Sequence, residues 1–195
     1  MAISLHRALH SLKLEYVDIL LLGMHNQPPS QRLKEAAWKL RDSGQVRFIA
    51  VSCHRRSTFH TYVEEGFFDV LMFRYNAAHR GAETEVLPLL NIPNRPGTVA
   101  YTATRWGQFL DSSKLPREEK TPTASDCYRF VLTQPNVDIC LTRPNNMEQL
   151  RESLTSLDRG PMNTEELAWM CRVGDYLHGN SAAQTLRIRL LQGRE

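Results

Sequence analysis

Apolar positions along the chain fall into short runs separated by stretches with helical spacing. Residues 16–22 (YVDILLL), 46–52 (VRFIAVS), 69–73 (DVLMF), 98–102 (TVAYT) and 137–142 (VDICLT) are runs of strand length. Nearly continuous runs of this kind suit strands that are buried on both faces. Between them the pattern predicts helices. The first runs from Ser4, read as its cap, to about Lys13. Others cover 31–42, opened by Pro28-Pro29-Ser30 and closed by Gly44, then 58–65 closed by Gly66, about 83–90, and 125–132. Two more follow the last run. Asn145 with Glu148 and Asn163 with Glu166 have the spacing of a capping box. The final helix is expected over 164–177, with Leu167, Met170, Cys171 and Tyr176 near one face.

Strands alternating with helices give a parallel sheet with helices on its faces and right-handed crossovers. Strand starts recur roughly 23 to 39 residues apart, near the ~30 per unit of an eight-unit barrel of ~250 residues. A chain of 195 residues holds five such units. The expected fold is therefore α/β: an incomplete TIM-type (βα) barrel with about five parallel strands over residues 1–177, followed by a tail over 178–195. The first and fifth strands would be apolar sheet edges, and such edges pair with something. Self-association into a homo-oligomer, or cover by a terminal segment, is expected to complete the barrel. In the tail, Leu186, Ile188, Leu190 and Leu191 are the residues available for covering an edge or for an oligomer contact.

Composition adds little beyond exclusions. Hydrophobic residues make up 42% and charged residues 23%, and the net charge of +3 comes from 24 basic and 21 acidic residues mixed along the chain. No basic stripe marks a nucleic-acid surface. No apolar run reaches membrane-spanning length, and Glu15 and Asp18 interrupt the stretch where an export signal would need to be apolar. Cys53, Cys127, Cys140 and Cys171 lack paired spacing, as expected of reduced thiols in a cytoplasmic protein.

Candidate chemistry gathers after the strands. His25, His54 and His79 follow the first three, where barrel active sites sit. Three imidazoles around an open position would make a catalytic zinc site, although their spacing matches no ligand motif. Cys53 at a strand end is a candidate nucleophile. Its base would be His25 or His79, since adjacent residues on a strand point to opposite faces. Ser52 has no G-x-S-x-G elbow around it. Asp18, inside the first run, is expected to be a buried, hydrogen-bonded carboxylate. Trp38, Trp106 and Trp169 read as packing residues, with Trp106 placed to border a ligand.

Five motifs in order resemble the aldo-keto reductases. The stretch from Ser4 through 16–22 resembles the fourth unit of their barrel. Residues 40–52 (LRDSGQVRFIAVS) resemble the fifth, 68–76 (FDVLMFRYN) the sixth with its Y-N, 97–101 (GTVAY) the seventh, and 148–153 (EQLRES) the cofactor motif after the eighth. The resemblance spans about residues 4–158 and implies NADP(H) as cofactor. It assigns Ser52 to the carboxamide, Tyr101 to stacking on nicotinamide, Arg143 to the 2′-phosphate, and Asn145 and Gln149 to the adenosine end.

The departures are as informative as the matches. The family's catalytic Asp, Tyr and Lys belong to units that would precede the first strand, and Gly23 stands where its catalytic His is expected. Cys53 replaces an Asn, Met72 a Gln and Ser153 an Asn. The implied function is a protein with a partly retained NADP(H) site for a small-molecule ligand and little classical carbonyl reduction, because protonating an alkoxide needs an acid. Two alternatives stand beside it: a hydrolase using Cys53 or a histidine-bound metal at the barrel mouth, and a non-catalytic truncated scaffold.

Overall fold

Each of the five runs forms a strand, with shifted bounds: β1 Val17–Met24, β2 Val46–Cys53, β3 Val70–Arg74, β4 Gly97–Tyr101 and β5 Ile139–Cys140. They make one sheet in the order β1-β2-β3-β4-β5, and β1–β2 and β2–β3 pair in parallel. The computed structural model describes the backbone of residues 1–192 and side chains as far as residue 179. The helices are α1 Ala2–Leu12, α2 Gln31–Asp42, α3 Thr58–Glu65, α4 Ala82–Glu85, α5 Ala124–Leu132, α6 Met147–Arg159 and α7 Thr164–Gln192. No helix among the described residues is long and apolar enough to cross a membrane.

Several local expectations change. Helix α1 is capped at Met1 without a side-chain bond, so Ser4 is not its cap. The expected helix at 83–90 splits into α4 and a 3₁₀ turn at Leu87–Leu90, since Pro88 has no N–H to continue an α-helix. The cap of α6 is Asn146, whose side chain accepts from Gln149 N, rather than Asn145. Asn163 and Glu166 form the expected reciprocal pair, each backbone N–H donating to the other's side chain at 2.9 Å. Helix α7 runs from Thr164 to Gln192, beyond the expected end at 177. The side chains of Leu186, Ile188, Leu190 and Leu191 lie outside the described residues. Tyr176 is exposed, whereas Met170, Val173 and Leu177 form the buried face of α7.

Two compact units divide the chain. The first comprises residues 1–73 and 81–99. Alternation along its strands sorts side chains onto two faces. Ile49, Val51, Leu71 and Phe73 are 0–1% exposed, and Phe59 of α3 packs edge-on against Phe73. The other face carries Ile19, Leu21 and Phe48, which remain 48%, 46% and 43% exposed, with Ile19 opposite Phe48 in the register. One face of this parallel sheet is covered by helices; on the other, Ile19, Leu21 and Phe48 are exposed while Val46 and Ala50 are buried.

Asp18 corrects its expectation. It is exposed and donates nothing to the core; its carboxylate accepts from Arg47 at 2.6 Å across the β1–β2 pair. Trp38 is exposed too, with the Arg41 guanidinium 4.2 Å from its ring centroid, rather than packed in the core.

The second unit comprises residues 74–80 and 100–195. Its β5 is shorter than the 137–142 run. Leu141 N still donates to Ala100 O at 2.9 Å, beyond the assigned strand. Helix α5 starts on a full capping box, Thr123 with Asp126. Behind it Arg129, 4% exposed, donates to Gly160 O and Pro161 O and to both oxygens of Glu166. Arg80 joins the turn at 77–80 to α7 through Cys171 O and Asp175.

Candidate functional site

At the C-terminal end of β4 and β5 the second unit opens a cleft of about 930 Å³, within the range of small-molecule sites. Tyr101 ends β4 and is half-buried in its wall. The chain then turns through Thr102, Arg105 and Trp106, each at positive φ, before Gly107 at +81°. Non-glycine residues in this region carry strain that surrounding structure must hold. Asn76 supplies part of that hold: buried completely, it donates from Nδ2 to Thr102 O at 2.9 Å and accepts at Oδ1 from Ala78 and His79 N–H. The Y-N pair thus works as a backbone clamp under the cleft floor. Trp106, 69% exposed, borders the opening and is not a packing residue.

The opposite wall comes from the segment after β5 and from α6. Arg143, Asn145 and Gln149 all line it. Asn145 N–H donates to the Gln149 side chain at 2.8 Å, and Gln149 N–H to Asn146 Oδ1 at 2.9 Å. Each fixes the loop that carries Arg143. The Arg143 guanidinium is exposed and makes no hydrogen bond or ion pair among the described residues, which leaves a planar donor fork free to meet an anion. Glu152 and Ser153 of the 148–153 motif line the same cleft. Tyr128 and Thr142 line it too and were not among the candidates, because α5 and the post-β5 segment contribute them outside any motif.

Of the remaining candidates, Ser52, His25, Cys53 and His54 lie in the first unit and His79 in the second. Ser52 sits in β2 opposite Met72 of β3, on the same face as Phe48 by alternation. Its carbonyl accepts from His25 N–H at 2.8 Å. The His25 ring lies 3.2 Å from Leu22 O. Cys53 points to the helix-covered face and is 1% exposed. Burial raises its thiol pKa, and its Sγ donates to Arg55 O at 3.1 Å. Asn26 Oδ1 organises the loop by accepting from His54 and Arg55 N–H.

A buried, bonded thiol pushed away from its thiolate is not an activated nucleophile. The His79 ring meets His178 edge-on at 5.5 Å between centroids. Among the described residues no three His, Cys, Asp or Glu side chains are grouped to hold a metal ion. The alternative of a metal held by His25, His54 and His79 finds no support in this arrangement.

A five-stranded parallel sheet flanked by helices, with a ligand-sized cleft past the strand ends, defines a portion of a βα-barrel, and its fold is that of the aldo-keto reductases. Among solved structures it is similar to the aldo-keto reductase AKR11C1 of Bacillus halodurans in its holo form, at TM-score 0.72 and 17% identity over 87% of this chain and 63% of that one. An aldo/keto reductase from Klebsiella pneumoniae in complex with NADP and acetate superposes at TM-score 0.73 and 21% identity, covering 90% of this chain and 65% of that one.

Among curated proteins it is 23% identical over 188 residues to the uncharacterized oxidoreductase YqkF of Bacillus subtilis (strain 168), matching 83% of this chain and 61% of that protein. The chain thus spans about three-fifths of the relatives it matches. No protein-family model matches it. The resemblance read from the five motifs holds at the level of the fold.

Proposed function

We propose that this chain binds NADP(H) in the cleft of the second unit. The observation that carries the reading is the convergence of Tyr101, Arg143, Asn145 and Gln149 on one cleft, four of the five residues that the resemblance assigns to the cofactor. The NADP-bound neighbour from Klebsiella supports the same cofactor class. Arg143 would meet the 2′-phosphate, and Tyr101 would offer an aromatic face to the nicotinamide ring. When bound, NADPH supplies a hydride.

The chain's own residues are poorly suited to deliver the matching proton. Gly23, at φ +101°, stands where the resemblance places a histidine. Tyr62 is buried, with its hydroxyl held by His25 O and Gln27 O at 2.9 and 3.2 Å, and burial pushes its pKa up. Little classical carbonyl reduction is expected from this chain alone. The hydrolase alternative loses its support with the buried Cys53 and the ungrouped histidines. We also propose that the exposed apolar residues along β1 and β2 are covered by a second copy of the chain, since parallel sheets are normally covered on both faces.

Titration of NADPH followed by its fluorescence tests the cofactor reading. Saturable enhancement or quenching is expected, and Arg143→Ala should weaken NADPH about tenfold while leaving NADH nearly unchanged, the loss of one charge-assisted contact. An emission that never saturates, or a variant that weakens both nucleotides equally, overturns the assignment.

A further inference from the structure

The first unit has a cavity of its own, about 330 Å³ in volume, beside α2. Gln31, Lys34, Glu35, Trp38, Lys39 and Phe67 line it. The volume is at the low end of small-molecule sites. Two aromatic rings form its walls, and neighbours hold both in place. The Arg41 guanidinium lies 4.2 Å from the Trp38 ring centroid and donates to Asp69 Oδ2 at 2.9 Å. The same oxygen accepts Ile49 N–H of β2 at 2.8 Å, which ties the stack to the sheet. Arg41 covers one face of the indole and does not line the cavity, so the other face is left to it. Phe67 meets the buried Phe68 edge-on at 5.0 Å. The Lys34 ammonium lies 5.7 Å from the Phe67 centroid and donates to Glu65 at 2.5 Å. A guest therefore finds walls that are already ordered, and binding does not bear that entropy cost.

The polar groups around the rings are unevenly matched. Lys34 is engaged by Glu65. Glu35 turns back to Gln31, accepting from its Nε2 at 3.2 Å, although Lys39 stands one turn further along α2, where an ion pair at i,i+4 spacing would form. Lys39 makes no hydrogen bond or ion pair among the described residues. The indole N–H of Trp38, 53% exposed, has no hydrogen-bond acceptor among them either. An aromatic face thus lies beside two donors, one of them a full positive charge. A cationic guest would face Lys39 and a ring already stacked on Arg41, which argues against an aromatic cage for ammonium groups.

We propose that this cavity binds a small planar aromatic carboxylate, its ring laid on the free face of Trp38 beside Phe67 and its carboxylate on the Lys39 ammonium. The proposal goes beyond the cofactor reading and does not depend on it. Ring stacking supplies the anchor. The charge-assisted contact to Lys39 supplies the selection for an anion.

The test is calorimetric titration of the intact chain with naphthoate, with its uncharged amide and with the cation naphthylmethylammonium. The acid should saturate. The amide should bind about tenfold more weakly, the loss of one charge-assisted contact, and the cation more weakly still. Lys39→Gln should bring the acid down to the level of the amide and leave the amide unmoved. Trp38→Leu should weaken acid and amide alike by about tenfold, and because Trp38 is exposed the core stays intact. Trp106→Leu, in the cofactor cleft, should change neither. Failure of the acid to saturate at millimolar concentration, or equal binding of acid and amide by the wild type, overturns the proposal. So does a Trp38→Leu variant that binds the acid as the wild type does, or loss of the acid in Trp106→Leu, which would put the probe in the other cleft.

Discussion

Arg129 shows how a single buried charge is held. Its guanidinium meets the carboxylate of Glu166 with two donors and spends others on Gly160 O and Pro161 O. Those bonds from Arg129 hold the Glu166 carboxyl down at about 2, far below its usual 4.5. Asp126 is the counterpart. Burial alone would raise its pKa, but bonds from Thr123 and Arg159 outweigh it and the net direction is down. Removing one member of such a cluster strands the others, so Arg129→Ala should destabilise the fold by about 3 kcal/mol in urea denaturation at neutral pH. The pH dependence has a definite sign. A carboxyl with a depressed folded pKa gives stability that is complete above its unfolded value and is lost as pH falls through the folded one. Wild-type stability should therefore drop between about 4.5 and about 2, with a shallower drop in the variant. An equally steep acid limb in both would show that Glu166 is not the group responsible.

At the scale of elements, close approach decides which residues are replaceable. Helix α7 passes so near the turn at 77–78 that a Cβ on Gly174 would lie 2.2 Å from Ala77 O. Backbone on both sides cannot yield as a side chain can. Gly174→Ala should cost ~3 kcal/mol, at the upper end of overpacking penalties, and lower the thermal midpoint by several degrees. Gly81 is a contrasting case. A Cβ there meets only the Arg56 guanidinium, the flexible end of a side chain, so Gly81→Ala should cost much less. Equal midpoints for the two variants would contradict the packing of α7 against that turn.

For the whole molecule, the exposed apolar residues beside the β1 edge are the features open to association. Ile19, Leu21 and Phe48 form an apolar face where other parallel sheets carry cover, and an uncovered edge strand is a template for pairing. Light scattering on a sizing column should report a dimer or larger assembly, and Phe48→Glu should shift it towards monomer without loss of helical signal. A wild-type chain that elutes and scatters as a monomer at micromolar concentration overturns the proposed second copy.

Much of this was legible in the amino-acid order alone. Apolar runs of strand length and capping residues such as Ser30 and Asn163 act locally, so they announced five strands, most helices and the resemblance to a known barrel. Tyr101, Arg143, Asn145 and Gln149 were named from short motifs for the same reason, and they line one cleft. What only the tertiary structure decided depends on neighbours distant in sequence. Strand alternation turned Cys53 into the covered face and buried its thiol, while Asp18 lies in water in an ion pair with Arg47. The three backbone distortions after β4 have no local signal except Gly107. The contacts of Thr142 with Tyr128 and Ser153 exist only because α5, the segment after β5 and α6 meet, and no spacing in the sequence encodes them.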